Sequence, residues 1–162
     1  MISLSDETLL QYKEFTSWTD ILHDVQISLW LQPIAKGKAT IGEIISHLKG
    51  WDSYLITTVI PAIKRGEAVF FPDFDSFNEI AYEYARSGIS KDNLLNEFRQ
   101  TRHQLVEILL AETDITTKYI TVNGMSNSPS ADTPYSLLYI IHEFIEHDNH
   151  HKGQILALLN QV

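Results

Sequence analysis

Tyr135-Ser-Leu-Leu-Tyr-Ile-Ile-His142-Glu-Phe-Ile-Glu-His147-Asp-Asn-His150-His151-Lys-Gly-Gln-Ile-Leu-Ala-Leu-Leu159 is the stretch from which the fold is read. Leu137, Leu138, Ile140, Ile141, Phe144, Ile145, Ile155, Leu158 and Leu159 recur at helical intervals and make one apolar arc centred near Ile155. Four residues turn a helix by about 40°, so His147 and His151 stand one above the other and their imidazoles can converge on one ion. His151 falls inside the arc and His147 at its margin. His142 lies outside it, on the side expected to face solvent, and His150 is displaced toward the polar side. Asp148 sits near the centre of the arc, where an ionised carboxylate is costly unless something pairs with it.

Working outward, three more long helical patterns precede this one. The first starts near Ser5-Asp-Glu7 and is expected to run until Pro33 and the Lys36-Gly-Lys loop stop it, although its mixed polarity leaves its register open. The second opens with Thr40 as N-cap and Glu43 three residues on, a capping-box spacing. Ile41, Ile44, Ile45, Leu48, Trp51, Leu55, Ile56 and Val59 then keep helical register; Pro61 is expected to kink the last turn and Gly66 to end it. The third begins at Ser90 with Asp92 in its first turn and carries Leu94, Leu95, Phe98, Leu105, Val106 and Leu109 to about Glu112.

Between the second and third patterns, Phe70-Phe-Pro-Asp-Phe-Asp-Ser-Phe77 is dense in aromatics and turn formers. It fits an ordered cover across a bundle end, followed by a short helix around Ser76 to Arg86. Thr116 to Gly124 has strand propensity but no evident partner, and Gly124 to Pro134 reads as a loop. Thr133-Pro134 is expected to cap the final helix. Four amphipathic helices argue an all-α four-helix bundle, with residues 1–162 expected as a single domain.

Composition narrows the function. Twelve basic against twenty-one acidic residues give a formal charge of −9, a field that repels phosphate backbones and anionic membranes, so nucleic acid and membrane are not expected as partners. With no cysteine there is no thiolate ligand or thiol nucleophile; His, Asp and Glu are the strong metal ligands available. The start carries no basic-then-apolar leader and no apolar run approaches the roughly 18 residues of a membrane helix, so a cytoplasmic location is expected.

Two histidines need a third ligand, and His47, at the edge of the second helix's arc one turn before Trp51, is the best candidate. Three neutral imidazoles at a shared apolar margin are suited to an open site for a divalent ion, with zinc or nickel foremost. Asp148, and Asp52 at the equivalent central place on the second helix, can be read in two ways. They are catalytic candidates that orient an imidazole or accept a proton, or members of a structural network with Tyr or Arg partners. His147-Asp148-x-x-His151 differs from the zinc-peptidase signature in having Asp for Glu, and no His, Asp or Glu follows His151. Phosphate-binding glycine loops and Gly-x-Ser-x-Gly are absent. Glu143 and Glu146 with His147 do not supply the two Glu-x-x-His motifs of a di-iron bundle.

Thr40-Ile-Gly-Glu-Ile-Ile-Ser-His47-Leu-Lys-Gly-Trp51 together with His147-x-x-His150-His151-Lys-Gly-Gln154-Ile155 resembles the second and last helices of the DinB/YfiT-like family. The resemblance spans about Thr40 to Leu159. It implies an up-down-down-up bundle, a metal held at the positions of His47, His147 and His151, and a homodimer. It also implies a small-molecule substrate. Similar proteins include thiol-dependent transferases and isomerases using bacillithiol, mycothiol or glutathione. Transfer of a low-molecular-weight thiol to an electrophile is therefore the first expectation. Metal-assisted hydrolysis, with Asp148 or Asp52 as proton acceptor, is the second, and a non-catalytic stress-response or binding bundle the third.

Overall fold

A computed structural model describes residues 2–161. Four long helices form the body: α1 (Leu4–Thr19), α3 (Ile41–Tyr54), α6 (Lys91–Ala111) and α8 (Leu137–Leu159). Shorter ones join them: α2 (Ile27–Trp30), α4 (Ile60–Lys64), α5 (Phe74–Ala85) and α7 (Thr113–Thr117). Among the described residues no helix is long and apolar enough to cross a membrane.

Two clusters of buried side chains fill the bundle, one at each end. Leu9 and Tyr12 of α1 meet Leu105, Val106 and Leu109 of α6 and Leu137, Ile140 and Ile141 of α8 at one end. Leu22 and Trp30 meet Ile41, Ile44 and Ile45 of α3, Leu94, Leu95 and Phe98 of α6, and Ile155 and Leu158 of α8 at the other. This order gives the direction of each long helix: α1 and α8 run from the first cluster to the second. α3 and α6 run from the second to the first, as the cross-links Lys49 to Glu97 and Asp52 to Arg102 also require.

The capping box of α3 forms as expected: Thr40 Oγ1 accepts from the Glu43 amide at 3.1 Å, and Glu43 Oε1 accepts from the Thr40 amide at 2.9 Å. Beyond Tyr54 the helix widens into a π-turn over Leu55–Val59 before resuming as α4. Pro61, which has no amide hydrogen to give to the ladder, sits in that first resumed turn. Gly66, at φ +72°, ends it. Ser90 caps α6 by accepting from the Asn93 amide at 3.1 Å.

Three expectations are corrected. The first helix does not continue to Pro33: it stops at Thr19, tightens into a 3-10 turn at Asp20–Asp24, and restarts as α2 from an extended Gln26. The Thr16 and Thr19 hydroxyls bond back to backbone carbonyls at 2.8 and 3.0 Å, and the Lys91 ammonium takes the His23 and Val25 carbonyls that the break leaves open. The final helix is capped by Ser136, whose hydroxyl accepts from the Tyr139 amide at 3.1 Å. Thr133 to Tyr135 instead pair with Ser126 to Ser128 as extended backbone, which keeps Pro134 out of the helix. The strand-like segment is also divided. Its start is the α7 turn, while Val122 finds a parallel partner in Val69, with the Val69 amide donating to the Thr121 carbonyl and the Asn123 amide to the Val69 carbonyl. These are single bridges, and no sheet is built among the described residues.

The aromatic segment joins α3. The rings of Phe71, Phe74 and Phe77 gather on Trp51 with centroids 5.9, 5.4 and 4.2 Å away, and α5 lies along α3 beyond them. The short helix expected there spans Phe74–Ala85, N-capped by Asp73.

Candidate metal centre

α3 and α8 bring the three singled-out histidines together. His147 Nε2 lies 3.0 Å from His151 Nε2 and 3.3 Å from His47 Nε2. Two nitrogens bound tetrahedrally to one ion at zinc–imidazole distances are about 3.4 Å apart, so the spacing is that of ligands around a common centre. Each helix contributes by its own periodicity: His147 and His151 are one turn apart on α8, and His47 faces them from the middle of α3. His47 is buried, deeper than its place at the edge of the arc indicates, and the other two are half-buried. His142 and His150 are exposed, as their wheel positions require.

Electrostatics favour the neutral, ligating form. Burial, then the neighbouring His151, pushes His47 down to about 4. Burial and the surrounding imidazoles push His147 down to about 3. Burial also lowers His151, against its bond to Gln154. Two of the outward nitrogens are occupied: His47 Nδ1 is 2.8 Å from Asn78 Oδ1, and His151 Nδ1 is 2.8 Å from Gln154 Oε1. Where Nδ1 donates to an amide oxygen, a neutral ring presents a bare lone pair at Nε2. Three ring nitrogens thus point inward with at most one proton among them, an arrangement that a cation relieves. The donor set fits a borderline divalent ion such as zinc or nickel.

Three of the carboxylates on or beside these helices are engaged elsewhere. Glu43 caps α3 and pairs with Arg86. Asp52 and Asp148 flank Arg102, whose Nε donates to Asp52 and whose Nη1 donates to Asp148, both at 2.7 Å. Tyr12 donates its hydroxyl to Asp52, lies 3.6 Å below the guanidinium, and gives its carbonyl to Arg102 at 3.1 Å. All four side chains are buried. Asp52 and Asp148 thus sit in a network with Tyr and Arg partners, and neither lines the cavity beside the histidines. Burial pushes Asp148 up to about 6 against the pull of the Arg102 guanidinium.

That cavity, about 350 Å³, has His47 and His147 in its wall. Trp51, Phe71, Phe74, Tyr135 and Phe144 supply aromatic faces, and Glu143 is the carboxylate that lines it. No lysine or arginine lines it. Burial raises the Glu143 carboxyl above its usual range. Glu143 and Asn78 are the site residues that sequence reasoning missed as such. For Glu143 a signal existed, since it precedes His147 by one turn on the same stripe.

The class of protein follows from helix directions and site together: a four-helix bundle with imidazoles converging between its second and fourth long helices. YfiT from Bacillus subtilis has this fold, superposing over 99% of this chain and 90% of its own with a TM-score of 0.70 at 14% identity. That protein is described as a probable metal-dependent hydrolase with an unusual four-helix bundle topology. No protein-family model matches the chain, and no curated protein matches it in sequence.

Proposed function

We propose that this chain is a metal-dependent hydrolase acting on a small, largely apolar molecule. The convergence of three imidazole nitrogens beside an aromatic cavity, with His47 and His147 in its wall, carries the reading. His47, His147 and His151 would hold a divalent ion, which would supply Lewis acidity, lowering the pKa of a water molecule and polarising a scissile carbonyl or related bond. Glu43, Asp52 and Asp148 are engaged elsewhere, so the three histidines alone would hold the ion, and Glu143 stays available to the reacting molecule. The rings of Trp51, Phe71, Phe74 and Phe144 hold an apolar substrate and exclude bulk water. Glu143 takes the proton from water at a carboxylate oxygen and returns it to the leaving group; its raised pKa brings it nearer the working pH of such a shuttle. Asp52 and Asp148 act as positioning groups: with Arg102 they fix α1, α3, α6 and α8 against one another beside the histidines.

The same cavity disfavours thiols that carry carboxylates. Glutathione and bacillithiol bring carboxylates of their own, which would meet Glu143 and find no cationic side chain.

The test is hydrolysis of a panel of small apolar esters, amides and lactones by metal-loaded protein, with and without added thiol. Turnover should need metal and ignore thiol. Glu143→Gln should lower it by about 10²–10⁴-fold at unchanged metal content. Thiol-dependent turnover, or full activity in Glu143→Gln, would contradict the assignment.

A further inference from the structure

The three histidines are not held in the same way. Trp51 Nε1 lies 3.0 Å from an Asn78 side-chain atom, and an indole N–H can only donate, so that atom is the carbonyl oxygen. The same oxygen lies 2.8 Å from His47 Nδ1. An amide oxygen can only accept, so Nδ1 carries the proton of the neutral ring. In the neutral ring Nε2 is then an unprotonated lone pair, 3.3 Å from His147 Nε2. His151 lacks this certainty, because its partner Gln154 lies on its own helix and accepts no second bond that would fix which end of the amide faces the ring.

We propose that Trp51 and Asn78 form a tautomer lock on His47: the indole fixes the face of the amide, and the amide fixes the imidazole proton away from the nitrogen that ligates. The proposal rests on His47 being a metal ligand. Asn78 is then a positioning residue supplied by α5, which makes the short helix over α3 part of the metal centre. Its position explains why an amide and not a carboxylate serves here. The oxygen accepts two N–H groups without adding a further negative charge to a site whose cavity already holds Glu143.

Two readouts on the full chain test the lock. Long-range nitrogen–proton NMR of the metal-free protein should find His47 with its proton on Nδ1, the minor tautomer of free histidine. Zinc affinity by chelator competition should then fall about 10–100-fold in Asn78→Ala, the usual effect of removing a partner of a ligating imidazole. Trp51→Phe should lose part of that affinity, because the amide is free to turn its NH₂ toward the ring. Adding Asn78→Asp to Trp51→Phe should restore it, since a carboxylate has no donor end; mere packing damage would not be rescued in this way. A proton on Nε2 in the native metal-free chain overturns the lock, and so does Asn78→Ala binding zinc as tightly as the parent. If the parent binds no zinc, the ligand assignment fails, while the tautomer measurement still decides whether the lock exists.

Discussion

Arg102→Met is the perturbation that best probes what holds the four helices in register. The guanidinium is fully buried, donates to Asp52 and Asp148 at 2.7 Å each, takes the Tyr12 carbonyl at 3.1 Å, and lies on the Tyr12 ring. Methionine keeps the volume of the stem but leaves two carboxylates facing each other in the core with no cation between them. Stranding a buried charge in this way costs about 3–5 kcal/mol. For a chain of this length each kcal/mol is about 2–4 °C, so the melting temperature should fall by about 6–20 °C. Burial already raises both carboxyls, and removing the cation raises them further. The folded state then binds protons that the unfolded state does not, so the loss should be largest near neutral pH and shrink as pH falls toward the ordinary carboxylate range. Urea unfolding followed by circular dichroism, at pH 7 and pH 5 with unchanged slope, reads both effects. Replacing all three charges by apolar residues of similar volume should recover most of the loss. A loss below about 1 kcal/mol, or a loss that grows in acid, would show that the guanidinium does not hold the two carboxylates in this way.

Gly42→Ala should destabilise by about 1–3 kcal/mol although alanine is the better helix former, because a Cβ there would meet the buried Trp30 indole at 2.9 Å. Thermal melts check this, and an equal or higher melting temperature contradicts the packing. The metal-free protein should lose stability as pH falls from about 6.5 toward 4. His47, His147 and His151 are depressed in the folded state, so the unfolded chain takes up protons first. Each fully depressed imidazole contributes at most about 1.4 kcal/mol per pH unit in that window. The raised Asp148, below about 6, and the raised Asp52 oppose this, leaving a net fall from the three imidazoles that urea titrations between pH 7 and 5 should resolve, and His147→Phe should flatten it.

What could be read from the sequence was what local spacing determines. The Thr40/Glu43 box, the stripe of α8 and the four-residue step from His147 to His151 each lie within a turn or two of chain, so periodicity alone placed them. The break after Thr19 could not be read that way. The lysine that satisfies its carbonyls is Lys91, brought in by α6 from 68 residues away. The start of α8 was misplaced because extended pairing of Pro134 with Asn127 outranked a local cap signal. Asn78 stood unnoticed in an aperiodic aromatic segment, and its role appears only when α5 is laid against Trp51 and His47. Arg102 lay on an apolar stripe with nothing in sequence to say that it would meet both aspartates.

The metal site is tested most simply by the metal content of untagged protein, compared with single alanine variants at each histidine of the last helix and at His47. One divalent ion per chain is expected, lost in His47→Ala, His147→Ala and His151→Ala and retained in His142→Ala and His150→Ala, whose side chains face solvent. Equal metal content across all five variants, or none in the parent chain, would contradict it.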